Sequence, residues 1–153
     1  MMVHSKLIIM RHAKSSWNYP NLSDHDRPLN KRGKKDAPRI SQALVERKWM
    51  PDLILLSSST RTNETLMNMN FNNEITVEVR PKIYLAGISQ LILELESIIE
   101  GGTTMILGHN PGCELLINHL TGEWHEMPTA AAALLVQIDC QWVVDSILRP
   151  KEL

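Results

Sequence analysis

The chain has little of what marks out several large protein classes. Its 153 residues include two cysteines, Cys113 and Cys140. They form no spaced framework and no Cys-x-x-Cys pair, so neither a disulfide scaffold nor a thiolate metal site is expected. Both read as free thiols of a protein in the reducing cytoplasm. No apolar stretch approaches the roughly twenty residues that span a bilayer. The apolar run in MMVHSKLIIM is too short for a signal peptide and lacks a small-residue cleavage site. An excess of one charge is missing as well: 16 Lys and Arg stand against 17 Asp and Glu, which gives no overall field for nucleic acid or an anionic membrane. Any anion site must therefore be local. The six histidines show no H-x-x-x-H or H-E-x-x-H spacing, so no metal and no other cofactor is expected. No internal repeat, low-complexity tract or linker divides the chain. Residues 1–153 are read as one domain and as a monomer, long enough to bury about two-thirds of the unfolded surface.

What is present is an alternation of short apolar runs with longer amphipathic stretches. Leu7, Ile8, Ile9 and Met10, and again residues 53–56 and 103–107, read as strands buried on both faces. Ile75, Val77 and Val79 alternate with polar residues, a period-2 strand signal. Helical spacing of Ala37, Ile40, Ala43 and Leu44 comes after Asn30, a candidate N-cap, with a kink at Pro38 or a later start near Asp36 as alternatives. Further helices are predicted over residues 62–71, over 88–99 and from Pro111 to about Leu120, with Asn110 as N-cap and Gly122 past the end. Residues 130–138 and 141–148 predict a terminal antiparallel hairpin. The fold class is α/β: a three-layer domain with a mostly parallel sheet, helices on both faces and an antiparallel C-terminal hairpin.

Three strand ends carry groups suited to chemistry. Arg11 and His12 come directly after the first apolar run, Arg61 after residues 57–60 (SSST), and His109 after Gly108 in GHNPG. Strands of one orientation end on one edge of a parallel sheet, where ligands bind. Singly, each residue is more often a structural histidine or a surface arginine; their recurrence at successive strand ends is what points to a site. Two guanidinium groups, two imidazoles and the helix N-terminus at Pro111 make an anion site suited to a phosphoryl group. Among such cations an imidazole stays neutral and nucleophilic, as attack on phosphorus requires. GHNPG is not a P-loop, which needs Lys-Ser/Thr after its second glycine.

The segments LIIMRHAKSSW, SDHDRPLNKRG, LLSSSTRTNET and ILGHNPG, in that order, resemble the histidine phosphatase superfamily, and within it the short SixA-type phosphohistidine phosphatases. The resemblance implies the phosphoglycerate-mutase-like fold without a cap domain. It implies that His12 is the nucleophile of a phosphohistidine intermediate and that Arg11, Arg61 and His109 hold the phosphoryl group. It adds Arg27, which the residues alone place in a loop, as a further phosphate-binding arginine. Ala13 stands where the superfamily commonly has glycine, a change small enough to keep the backbone approach. Leu85, in Tyr84-Leu85-Ala86, stands where larger relatives carry a proton-donating carboxylate, leaving Asp24, Asp26 or Glu114 as substitutes. A missing acid favours an imidazole leaving group over an alkoxide.

The expected activity is hydrolysis of phosphohistidine on a protein partner, such as a histidine phosphotransfer domain. A broad phosphomonoesterase acting on small phosphoesters and a non-catalytic phosphate-binding module are the alternatives; a mutase would need a sequestered site and a proton-transferring group. The tryptophans are expected as core or loop anchors.

Overall fold

The structure is a computed structural model that describes residues 3–72 and 74–153. Its elements are, in chain order, β1 (Lys6–Arg11), α1 (Lys31–Glu46), β2 (Leu53–Leu56), α2 (Thr60–Met69), β3 (Thr76–Val79), α3 (Ile88–Glu94), β4 (Thr103–Gly108), α4 (Gly112–Thr121), β5 (Ala132–Ile138) and β6 (Gln141–Leu148). The six strands form one sheet in the order β3-β2-β4-β1-β5-β6. The first four in that order run parallel, while β5 pairs antiparallel with both β1 and β6.

The alternation of side chains along a strand divides the core into two layers. Ile8, Met10, Ile54, Leu56, Met105 and Leu107 point toward α1 and α2. Leu7, Ile9, Leu55 and Ile106 pack with Leu91 of α3 and Leu116 and Ile117 of α4. Both faces of β1, β2 and β4 are thus covered, which is why residues 7–10, 53–56 and 105–107 are all apolar. β3 is an edge strand with all four residues exposed, consistent with its weaker, alternating pattern.

Several boundaries differ from expectation. α1 starts at Lys31, with the Asn30 side chain accepting from the Gly33 N–H, and continues through Pro38 without restarting near Asp36. Pro38 lies on the exposed side, where solvent reaches the carbonyl that proline leaves without a partner. α2 begins two residues early because the Ser59 hydroxyl caps it by accepting from the Thr62 N–H. Residues 88–99 do not make one helix: α3 ends at Glu94, and a 3-10 turn, Leu95–Ser97, takes over. Pro111, not Asn110, is the N-cap of α4. The hairpin is as predicted, its turn made by Asp139 and Cys140, both at positive φ, the conformation a two-residue hairpin loop requires.

The register of the three central strands sets what meets at their carboxyl ends. Arg11 lies opposite Gly108, and Leu56 opposite Leu107. The His12 N–H donates to the Gly108 carbonyl at 3.0 Å and the Ser57 N–H to the Leu107 carbonyl at 3.1 Å. Residues 12, 57 and 109 are therefore neighbours across the sheet edge. The start of α1 is pressed onto the same edge: a Cβ on Gly33 would stand 2.2 Å from the Lys14 carbonyl oxygen, so glycine alone permits that approach.

Candidate active site

His12 and His109 lie 5.3 Å apart between ring centroids, both almost fully buried. Arg11 is the last residue of β1, and Arg61 sits in the first turn of α2 rather than on a loop. Together with Lys14 and Trp17 they line a concavity of about 250 Å³. A larger one, about 550 Å³, lies between α1 and the end of α2, but its lining (Val45, Met50, Met69 and Phe71 among others) gathers no chemistry-bearing cluster.

The histidine tautomers are set by their partners. His12 Nδ1 lies 2.7 Å from the Ala13 carbonyl oxygen, which can only accept, so Nδ1 carries the proton and Nε2 keeps its lone pair. The Arg61 Nε–H points at that nitrogen from 3.3 Å. His109 Nε2 lies 2.8 Å from the Ser57 hydroxyl, while His109 Nδ1 and Arg11 Nε are buried without a protein partner. Two orphaned polar atoms on one small concavity indicate a polar ligand that completes them.

Burial holds both imidazoles neutral, His12 at about 3 and His109 at about 4, with the charges of Arg61 and Arg11 acting in the same direction. The unfolded chain takes up these protons as pH falls through about 6.5, whereas the folded chain does so only near 4 and 3. Their contribution is therefore largest above 6.5 and is lost as pH falls toward 3, by at most about 1.4 kcal/mol per pH unit for each imidazole. Melting temperature measured against pH should decline across that window and decline less steeply in His109→Asn. An equally steep profile in the variant would contradict the assignment.

The Ser57 hydroxyl accepts from the Ser59 N–H at 3.4 Å, and its own proton is free to donate to His109 Nε2. With Ser57 as the donor, the His109 proton sits on Nδ1, the atom without a partner. Ser57→Ala is expected to reduce kcat on the order of tenfold to a hundredfold with the fold intact. It should also shift the His109 nitrogen resonances toward a tautomer mixture; unchanged resonances and rate would refute the role.

Comparison with known proteins agrees with the geometry. Residues 7–84 match the family model of the histidine phosphatase superfamily, branch 1. The chain belongs to that superfamily. An uncharacterised chloroplast protein of Arabidopsis thaliana is 38% identical over 152 residues, 92% of this chain and 70% of its own length. A crystal structure described as a phosphohistidine phosphatase SixA of Agrobacterium tumefaciens superposes with TM-score 0.86 at 29% identity, covering 95% of this chain and 97% of that one. A protein histidine phosphatase SixA solved with tungstate shares the fold at TM-score 0.83 and 21% identity, covering 96% and 98%. This member of the superfamily is a phosphatase of the SixA type.

Within the superfamily fold, Arg27 does reach the concavity. Its Nη1 donates to the Ser15 hydroxyl, its Nε and Nη2 donate to Asp24, and its guanidinium stacks on Trp17 at 3.6 Å. Asp24 is the residue that sequence reasoning undervalues. Its carboxylate accepts from Tyr84, Arg61 and Arg27, and its carbonyl accepts from Arg61. The Tyr84 hydrogen bond and then Arg61 hold it down to about 2, so at neutral pH it is a carboxylate that organises two arginines and has no proton to give. Glu114 braces Asn110 and the Met127 N–H, and Asp26 pairs with His25. Neither lines the concavity, whereas Leu85 does, with φ +50.

One further expectation needs correction. The N-terminus of α4 is not a free anion site, because the Cys113 N–H bonds the His109 carbonyl and the Glu114 N–H bonds the Asn110 side chain. Trp49 is a core anchor, and Trp17 is a loop residue stacked on Arg27 that is 72% exposed at the mouth. Among the described residues no cluster of His, Cys, Asp and Glu suits a metal ion.

Proposed function

We propose that the enzyme hydrolyses phosphohistidine on a partner protein, with His12 as the nucleophile and without a metal. The observation that carries the reading is the buried, unprotonated His12 Nε2, approached by the Arg61 Nε–H, on one concavity with His109 and Arg11, whose Nδ1 and Nε have no protein partner. His12 Nε2 attacks phosphorus in line; the new N–P bond forms as the substrate P–N bond breaks, and its electron pair stays on the departing imidazole. That ring carries a proton on its other nitrogen, so it leaves neutral without an acid from the enzyme. Arg11, Arg61 and His109 donate to the phosphoryl oxygens, and Arg27 supports them from the wall. Water then attacks the phosphohistidine intermediate, releasing phosphate and restoring His12.

The absence of an acid among the lining residues is what favours an N–P bond over an alkyl phosphoester, and a concavity with the exposed Trp17 at its mouth is suited to a side chain presented by another protein. A like-folded SixA phosphatase was solved with tungstate, an oxyanion of the size and charge expected here. The thiols Cys113 and Cys140 are unpaired, in keeping with a cytoplasmic location. Dephosphorylation of phosphohistidine, phosphoserine and sugar-phosphate substrates should be compared in the presence of a chelator. Preference for phosphohistidine supports the reading; faster turnover of small phosphoesters would establish the phosphomonoesterase alternative, and no turnover of any would leave a phosphate-binding module.

A further inference from the structure

The charges of this nearly neutral chain are unevenly distributed. Residues 11–39 hold eight of the 16 Lys and Arg residues but three of the 17 acidic ones, so the remaining sequence is strongly acidic. Four of the eight cations, Lys31, Arg32, Lys34 and Lys35, crowd the first five residues of α1, and all four are exposed. This is the wrong end for them. The N-terminus of a helix carries a partial positive charge, and each exposed cation there costs up to about 1 kcal/mol where an acid would stabilise. No acid occupies that first turn. Arg32 pairs with Asp36 of the next turn, while Lys31, Lys34 and Lys35 have no ion pair among the described residues. A face shaped by stability alone would be arranged the other way round.

The end of α1 that carries the strip is tied to the segment lining the site. The Asn30 N–H donates to the Lys14 carbonyl at 3.0 Å, and Gly33 abuts the same backbone. Lys14 and Trp17 in turn line the concavity that holds His12. Side chains of a helix lean toward its N-terminus, so the lysines of the first turn incline toward that end. Trp17, 72% exposed and stacked on Arg27, adds an apolar platform at the mouth of the pocket.

We propose that Lys31, Lys34 and Lys35 form an electrostatic docking strip for an acidic protein surface that carries the phosphoryl group, steering it onto His12. The proposal rests on the phosphatase reading above and names the chemistry of the partner. Exposed charges of this kind act on encounter and selectivity more than on the chemical step, so the strip should change KM and leave kcat alone.

Two synthetic phosphohistidine peptides of equal length, one flanked by glutamates and one by glutamines, test it. Wild-type kcat/KM should favour the glutamate peptide by about tenfold at low salt, and the preference should shrink as salt screens it. The triple variant Lys31→Gln, Lys34→Gln, Lys35→Gln should lose that preference through KM, with hydrolysis of the glutamine peptide and of p-nitrophenyl phosphate unchanged. A triple variant that keeps the preference, or a wild type without one, overturns the proposal. Peptide binding by fluorescence anisotropy on His12→Ala protein, with and without the three substitutions, reads the strip even if no peptide is hydrolysed. Failure of the phosphatase reading and failure of the strip are thus separate results. A short single-stranded RNA that competes through the same lysines as well as the glutamate peptide does would mark a general polyanion surface and refute a protein-selective one.

Discussion

Replacing His12 with alanine is expected to lower turnover by about five orders of magnitude or more, the scale on which loss of a covalent nucleophile acts when the rest of the site remains. The fold should persist. His12 is buried beside the sheet edge, but its one protein acceptor is the neighbouring Ala13 carbonyl, and its charged form is disfavoured, so no paired charge is left stranded. The cost is the cavity of one imidazole, and secondary structure and cooperative unfolding should survive. The decisive measurement is covalent: a phosphohistidine donor and then a quench without acid should label wild-type protein on residue 12 and leave His12→Ala unlabelled. Label retained in His12→Ala, or turnover within tenfold of wild type, would remove the nucleophile from the mechanism. His109→Ala should still take up label, slowly, because it loses a donor and keeps the attacking nitrogen.

The parts of this site that are legible in the sequence are those set by strand periodicity. Residues 7–10, 53–56 and 105–107 are apolar without interruption because β1, β2 and β4 are covered on both faces, and a parallel arrangement sends the residues just beyond each strand to one edge. His12 and His109 meet for that reason alone. Pattern puts Arg61 correctly on the edge but on the wrong element, since the cap that starts α2 is a serine in a run of three, and any of them suits an N-cap equally. Arg27 and Asp24 are not legible from pattern. They sit in a loop with one 3-10 turn, Asp24–Asp26, and their partners Ser15, Arg61 and Tyr84 are brought to them by the packing of α2 and of the segment after β3. No periodicity encodes a contact between residues 24 and 84. The expected anion site at the start of α4 fails for a related reason: Asn110 uses its side chain on Glu114 and the Met127 carbonyl, tying a loop in place where sequence alone suggests free N–H groups.

Arg61→Ala should be the most damaging change short of the nucleophile, lowering kcat by about a thousandfold. The side chain is 3% exposed. Its Nη1 and Nη2 are held by the Asp24 carbonyl at 2.6 Å and the Asp24 carboxylate at 2.9 Å, which leaves Nε directed at His12 Nε2. A guanidinium fixed at its far end presents one N–H to the reacting centre without reorganising as charge develops on the phosphoryl oxygens. Arg61→Lys keeps the charge but has no second prong with which to hold Asp24, and it should still lose about a hundredfold. Because the same oxygens carry charge when the donor is attacked and when water attacks the intermediate, both steps should slow, and label on His12 should form slowly and decay slowly. The lost ion pair itself should cost on the order of 1 kcal/mol or less, because Asp24 is half exposed and keeps Arg27 and Tyr84, and the cavity left by the buried side chain adds to that. The split between constants decides the role: a fall in kcat marks stabilisation of the transition state, whereas a rise in KM at constant kcat would reduce Arg61 to ground-state binding. An Arg61→Ala protein within tenfold of wild-type kcat would show that Asp24, and not the phosphoryl group, is what this arginine is there to hold.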